Sequence, residues 1–323
     1  MTSTFTPPAR FNGSSTADEV ASALAEQIRG KHVLITGVSP GGLGAEAARA
    51  IARQGPALLI LAGRTQSKIN ETASAIRAES PSANLRTLLL DLSSLDAVRK
   101  SALEVNRWTE PIDVLINNAG TMFTGPQRRV TVDGFESTFA TNYLGPFLLT
   151  NLIKPRLLAS PSPRVINLSS AGHAISDVRL GDLNLGEEGV YQPFLAYGHS
   201  KTANLLFNVA LAEKWKEEGV KTFALHPGVI WTNGVPNAEA EFKAAGYVTE
   251  DGKPSPNVDW KTMAQGAATH LVAAFDPDLG DHSGAYLVDG QVANDQAQPY
   301  ALDQENALKL WAATEVLLKQ VFV

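Results

Sequence analysis

The chain contains no cysteine, which excludes disulfide bridges, thiolate zinc sites and a cysteine nucleophile in any compartment. It carries no large excess of charge either. Its 27 basic and 33 acidic residues leave a formal charge of -6, which suits an ordinary soluble protein and argues against a nucleic-acid footprint. No stretch approaches the roughly eighteen uninterrupted apolar residues of a membrane helix. The N-terminal MTSTFTPPARFNGSSTADE has no basic region followed by an apolar run. Neither a membrane anchor nor a secretory signal is therefore expected, and the expected location is cytoplasmic. Internal repeats and low-complexity linkers are also absent.

At 323 residues the chain can bury a sizeable core and falls in the range where an α/β fold forms one large domain. A flexible arm rich in Thr, Ser, Pro and Gly over 1–15 precedes a single domain over 16–323. Thr16 to Glu19 reads as a capping box, with Val20, Leu24 and Ile28 at helical spacing behind it. From there, short apolar runs at 32–36, 57–62, 85–90, 112–117, 164–169 and 221–226 alternate with helical segments at 43–54, 66–79, 94–108, 133–153 and 195–217. Such continuously apolar runs predict strands buried on both faces. The alternation predicts a Rossmann-type, doubly wound parallel sheet flanked by helices. Two long loops, 171–193 and 228–258, fall at strand ends, where such sheets handle ligands.

The first strand leads into KHVLITGVSPGGLGAEAAR, residues 31–49. A strand, a loop almost without side chains and an alanine-rich helix set free helix amides beside a backbone that an anion can approach closely. The spacing is neither G-x-G-x-x-G nor G-x-x-x-x-G-K-[ST], because no Lys follows. The second strand run ends in LAGRT, with Arg64 and no acid nearby. An acid would suit the ribose 2′-hydroxyl of NAD(H), whereas an Arg suits the 2′-phosphate of NADP(H). A charge-assisted pair contributes about 1.5–3 kcal/mol, so NADP(H) is expected to be preferred over NAD(H) without excluding it.

In FLAYGHSKTANLLF, residues 194–207, Tyr197 and Lys201 lie four apart and share one helix face. A phenol titrating near 10 is a poor acid-base group at neutral pH and needs a nearby cation to stabilise its phenolate. Lys201 is placed to supply it, with a bound nicotinamide ring and partial burial adding to its effect. His173, His199 and His226 show no metal-ligand spacing, and structural or solvent-facing roles are expected for all three.

Around these lie NNAG at 117–120, NLSS at 167–170 and HPGVIWT at 226–232. In this order the motifs resemble the short-chain dehydrogenase/reductase family over about residues 30–290. The glycine loop is similar to that family's T-G-x-x-x-G-x-G, with one extra residue when Gly42 and Gly44 match its last two glycines. The resemblance implies that Ser170, Tyr197 and Lys201 are catalytic, that Asn142 in TNYLGPF completes a tetrad, and that Ser169 is the second choice of serine. In the implied chemistry Ser170 hydrogen-bonds the substrate carbonyl and Tyr197 gives or takes the hydroxyl proton. Lys201 lowers the tyrosine pKa and holds the nicotinamide ribose, while Asn142 supports a water leading protons to Lys201. No metal is required. The implied cofactor contacts are Gly37, Ser39, Gly41, Gly42, Leu43, Gly44, Arg64, Asp91, Leu92, Asn118, Ala119, Gly120, Tyr197, Lys201, Pro227, Gly228, Val229 and Thr232, with Asn117 beside them. For Asp91 the alternative is a helix cap.

Ser170 and Tyr197 are 27 positions apart, about twice the shortest arrangement in the family. With YGHSK and LAGRT, this most resembles the retinol-dehydrogenase-like and WW-domain-oxidoreductase-like branch, whose members handle lipophilic carbonyls and alcohols. Val229, Ile230, Trp231, Val235, Phe242 and Tyr247 could form a substrate lid or simply pack their loop onto the body. The C-terminal helix at about 303–320 could close the substrate end, pack on the core or mediate a dimer. The reading is an NADP(H)-dependent oxidoreductase interconverting a carbonyl and an alcohol on a small lipophilic substrate. Reduction of an activated C=C bond and a non-catalytic NADP(H)-binding sensor or interaction protein are the alternatives. By the same resemblance a homodimer or homotetramer would use the helices around 133–158 and 195–217.

Overall fold

Branched and leucine-rich runs form the strands of a computed structural model that describes residues 10–122, 127–231 and 239–322. The strands are β1 (His32–Thr36), β2 (Leu58–Gly63), β3 (Leu85–Leu89), β4 (Val114–Asn117), β5 (Arg164–Leu168), β6 (Lys221–His226), β7 (Val229–Ile230), β8 (Trp260–Lys261), β9 (Tyr286–Val288) and β10 (Gln291–Val292). Eight of them form one sheet in the order β10-β9-β6-β5-β4-β1-β2-β3, while β7 and β8 pair separately. Every pairing in the large sheet is parallel except β10 on β9.

The helices are α1 (Ala17–Ala23), α2 (Ala25–Ile28), α3 (Leu43–Ala52), α4 (Gln66–Glu79), α5 (Leu95–Asn106), α6 (Ser137–Phe139), α7 (Gly145–Leu152), α8 (Lys154–Leu158), α9 (Pro193–Lys214), α10 (Glu239–Ala244), α11 (Met263–Phe275) and α12 (Gln304–Leu318). Successive strand residues point to opposite faces. Val33, Ile35, Leu59 and Leu61 therefore pack with α1, α3, α4 and α11, whereas Leu34, Leu58 and Ile60 pack with α5, α7, α9 and α12. Helices cover both faces, which explains why the strand runs show no polar alternation. The doubly wound sheet expected from the sequence is the observed architecture.

Four local features differ from expectation. The segment 133–153 is not one helix: α6 passes through a π-helical turn at Ala140–Leu144 into α7. Pro146 has no N–H to offer the carbonyl of Asn142 four residues before it, so a regular ladder cannot run through this point. Helix α11 had no amphipathic signature because it is buried without interruption from Gly266 to Phe275. The short strands β9 and β10 were likewise not anticipated. Finally, the N-terminal arm is packed from Arg10 onward. Phe11 is buried, the Gln291 side chain donates to its carbonyl at 2.6 Å, and the Thr16–Glu19 capping box starts α1.

Helix α12 packs on the core. Trp311 stands edge-on to Phe147 at 4.7 Å and against Phe207 at 6.0 Å, and the Tyr143 hydroxyl meets Thr314 Oγ1 at 2.7 Å. The α7 and α9 faces considered above for dimerisation are thus partly taken by the chain's own C-terminal helix. Replacing Trp311 by Ala is expected to cost about 3–5 kcal/mol, read as a lower urea midpoint. A loss below about 1 kcal/mol would show that this aromatic contact does not hold α12 in place.

Candidate active site

Parallel pairing brings the carboxyl ends of β1, β4, β5 and β6 to one edge of the sheet. After β1, Gly37 has φ +74°, and a Cβ there would stand 2.6 Å from the Ala119 Cα. Only glycine lets the loop lie this close to the end of β4. Asn118 ties the two together: its Nδ2 donates to the carbonyls of Thr36 at 2.7 Å and Gly37 at 3.1 Å. The Asn118 Oδ1 lies 3.2 Å from His270 Nε2 on α11. The Gly42 N–H donates to the Ser39 carbonyl at 3.1 Å, closing a turn with Gly41 at φ +71°. Gly42 caps α3 with no side-chain acceptor, so the amides opening this helix, at Leu43 and Gly44, have no side-chain cap.

The other expected cofactor contacts surround this loop. Arg64 is exposed after β2, and Leu92 is buried. Asp91 Oδ1 accepts from the Ser93 N–H at 3.0 Å and the Ser93 hydroxyl at 2.6 Å. Ser94, not Asp91, caps α5. Asn117 is buried and donates to Thr150 Oγ1 and Asn167 Oδ1, each at 3.0 Å, so its side chain braces the sheet. Gly120 lies by the lysine: a Cβ there would stand 3.5 Å from Lys201 Nζ. Pro227 and Val229 flank Gly228, which has φ +91°. The side chain of Lys261 runs against Gly228 and pairs with Asp289. Thr232 and Val235 lie outside the described residues.

Strand β5 delivers both serines, with different duties. Ser169 Oγ donates to the Lys201 carbonyl at 2.8 Å, whereas Ser170 Oγ accepts from the Gly172 N–H at 3.0 Å and lies beside Tyr197, whose phenol pKa it lowers. Gly172 permits this approach, since a Cβ there would stand 2.7 Å from Tyr197 Cε1. Lys201 Nζ donates to the Leu168 carbonyl at 2.9 Å and lies 5.6 Å from the Tyr197 ring centroid. Asn142, in the π-helical turn, accepts from the Thr121 N–H at 2.7 Å and donates to the Thr121 carbonyl at 2.9 Å and Ser200 Oγ at 3.0 Å. Ser200 in turn donates to the Tyr197 carbonyl at 2.7 Å. Asn142, Ser170, Tyr197 and Lys201 therefore form one connected cluster.

Burial dominates its electrostatics. It pushes the Tyr197 phenol above its ordinary pKa, with the Ser170 hydrogen bond acting in the opposite sense. It lowers Lys201 to about 8. The expected depression of the tyrosine pKa is therefore not produced by these residues alone, because burial opposes the phenolate rather than assisting it.

His173 and His199 are buried, and His226 is half-buried. His199 Nε2 lies 3.2 Å from the Leu183 carbonyl, and burial pushes His199 and His226 down to about 4. His173 contacts the Ser170 carbonyl through Nδ1 at 2.7 Å. No group of acidic and histidine residues able to hold a metal occurs among the described residues. The roles of Asn118, His270 and His173 as braces had no signal in sequence spacing, because their partners are 82, 152 and 125 positions away. Beyond β6, Phe242 stands 6.2 Å from Phe194 and 5.7 Å from Tyr247, and Trp231 stands 5.5 Å from Trp260.

The lysine imposes a pH-dependent cost. Below pH 8 Lys201 is charged in both folded and unfolded chains, and the burial cost is constant. As pH rises from about 8 toward about 10.4, the folded chain loses the proton first and gains stability. Lys201→Met leaves the Leu168 carbonyl its Asn204 donor at 3.0 Å. It is expected to stabilise the fold by roughly 2–3 kcal/mol at pH 7 and by much less at pH 10. Urea unfolding at the two pH values checks this; a variant less stable than wild type at pH 7 would contradict it.

A family model described as short chain dehydrogenase matches residues 31–181. The chloroplastic short-chain dehydrogenase TIC 32 A of Brassica napus is 36% identical over 313 residues, covering 93% of this chain and 92% of the relative. Retinol dehydrogenase 12 of Mus musculus is 39% identical over 263 residues, covering 81% and 79%. Among solved structures, a protein of uncharacterised function from Mycobacterium paratuberculosis superposes with a TM-score of 0.69 at 32% identity, covering 92% of this chain and 96% of that one. A structure described as an NAD(P)-dependent gluconate 5-dehydrogenase from Beutenbergia cavernae, with bound NADP, gives 0.62 at 25% identity, covering 81% and 96%. The chain belongs to the short-chain dehydrogenase/reductase family, in its retinol-dehydrogenase-like branch, and is an oxidoreductase of that family.

Proposed function

We propose that the chain is an NADP(H)-dependent oxidoreductase that interconverts a carbonyl and an alcohol on a small lipophilic substrate, with Tyr197 as the acid-base group. The observation that carries this reading is the cluster of buried Asn142 and Lys201 with half-buried Ser170 and Tyr197 beside the glycine loop. The loop suits a dinucleotide: Gly37 has the close approach to β4 that only glycine permits, and α3 begins without a side-chain cap. Gly37, Ser39, Gly41, Gly42, Leu43 and Gly44 would hold the pyrophosphate. Arg64, exposed and without a carboxylate partner among the described residues, would meet the 2′-phosphate. A nicotinamide cofactor, when bound, supplies or accepts the hydride.

The chain's own residues do the rest. Ser170 orients the carbonyl oxygen, and Tyr197 donates a proton to it in reduction or removes one in oxidation. Lys201, lowered to about 8, is positioned to exchange protons near neutrality and to hold the ribose. The aromatic rings of Phe194, Phe242, Tyr247 and Trp231 favour an apolar substrate. A relative named retinol dehydrogenase supports the same class. A cytoplasmic location is part of the same proposal, whereas two relatives are named chloroplastic.

Calorimetry should find NADPH bound more tightly than NADH, and Arg64→Ala should weaken NADPH alone by roughly ten- to a hundred-fold. Equal loss for both cofactors would remove Arg64 from the 2′-phosphate site. In a carbonyl panel followed by NADPH consumption and product analysis, Tyr197→Phe should abolish alcohol formation while NADPH affinity is largely kept. Unchanged turnover would exclude Tyr197 as the acid-base group, and a saturated carbonyl product would assign the chemistry to a C=C bond instead.

A further inference from the structure

His173 lies three residues beyond Ser170 and is almost wholly buried. Both of its ring nitrogens are engaged. Nδ1 lies 2.7 Å from the Ser170 carbonyl, and Nε2 accepts from the backbone N–H of Gln298 at 3.1 Å. A backbone N–H can only donate, so Nε2 carries the lone pair and Nδ1 carries the proton. The His173 carbonyl accepts from the Tyr300 hydroxyl at 2.9 Å and from Thr202 Oγ1 at 3.1 Å. Thr202 is the neighbour of Lys201 on α9 and also donates to the Ser176 carbonyl at 2.7 Å. One side chain and its carbonyl thus join the serine turn, the lysine helix and the segment just before α12.

We propose that His173 is the positioning residue for Ser170: its Nδ1–H fixes the Ser170 carbonyl, and the Gln298 amide, arriving from the C-terminal segment, selects the tautomer that can do so. This rests on the reading of Ser170 as the residue that orients the substrate. The Ser170 hydroxyl is aimed by its own backbone, which is extended at φ -165° and ψ 157°. The Gly172 amide holds the hydroxyl, while the His173 backbone N–H at 3.1 Å and the His173 ring both hold the Ser170 carbonyl; the ring adds to the turn a contact whose presence depends on its tautomer. Protonation of His173 would set an Nε2–H against the Gln298 N–H and break the link. The titratable groups facing the ring are Tyr286 of β9, with ring centroids 5.4 Å apart, His226 of β6, and Tyr300 of the C-terminal segment, which itself lies near Asp177. Burial holds the His173 pKa below its usual value, so the neutral ring is the form present near pH 7.

Three substitutions separate the contacts. His173→Asn places an amide N–H near the Nδ1 position, and His173→Gln places a carbonyl near the Nε2 position. Gln298 has φ -64° and precedes Pro299, so Gln298→Pro removes the amide donor from a backbone already suited to proline. His173→Asn should keep kcat within about threefold, whereas His173→Gln should lose roughly ten- to a hundred-fold in kcat, with KM and NADPH affinity little changed. Gln298→Pro should lower kcat near neutral pH, where the tautomer is no longer selected, and the loss should shrink at acid pH, where protonation restores the Nδ1–H. Equal kcat losses in the two His173 variants, or losses that follow their urea stability, would overturn the proposal.

Nitrogen-15 NMR of the wild-type imidazole needs no substrate. It should show the proton on Nδ1 and a pKa that rises in Gln298→Pro; a proton on Nε2, or an unchanged pKa in that variant, would overturn the proposal. Absence of wild-type turnover on the carbonyl panel would sink the proposed reaction, while the NMR result would still decide the tautomer and its coupling to Gln298.

Discussion

A buried ammonium group organises this structure. Lys201 Nζ sits inside the sheet edge with the Leu168 carbonyl at 2.9 Å, and burial lowers its pKa to about 8. Isolated charge in such a place is costly, and the surrounding polar groups are arranged to hold it there. Asn204 shares the Leu168 carbonyl, Ser169 donates to the lysine's own carbonyl, and Asn142 reaches Ser200 one residue earlier. The same hydrogen bonds align β5, α9 and the loop after β4. Stability given up at the lysine is thus tied to the placement of Ser170 and Tyr197.

The two halves of the site are built by different means. The glycine-loop side depends on missing side chains: Gly37 lets the first loop lie on Ala119, and Asn118 binds the carbonyls of Thr36 and Gly37. The reaction side depends on polar side chains locked by one another. Helix α12 and the segment before it add a further layer, reaching the aromatic core through Trp311 and the serine turn through Gln298 and Tyr300. The C-terminal region is consequently part of the body of the enzyme.

Much of this was legible in sequence. Apolar runs near 32–36 and 221–226 coincide with β1 and β6, and 66–79 coincides with α4, because local pattern and burial agree there. The Tyr197–Lys201 spacing, the serine pair and the glycine loop also announced themselves, since each is a short-range pattern. What stayed hidden involved uniform burial or distant partners. Helix α11 is apolar on nearly all sides and so lacks a period, and the interruption at Asn142 arises where Pro146 meets a helical ladder.

The sequence by itself determined the family, the alternating α/β order and the residue types of the candidate site, because these follow from local spacing and chemistry. Only the tertiary structure decided which serine faces Tyr197, that burial raises the tyrosine and lowers the lysine, and that His173 and Asn118 brace the two halves of the site. The reason is physical: dielectric surroundings and hydrogen-bond partners depend on residues brought together from distant parts of the chain, and no local pattern specifies them.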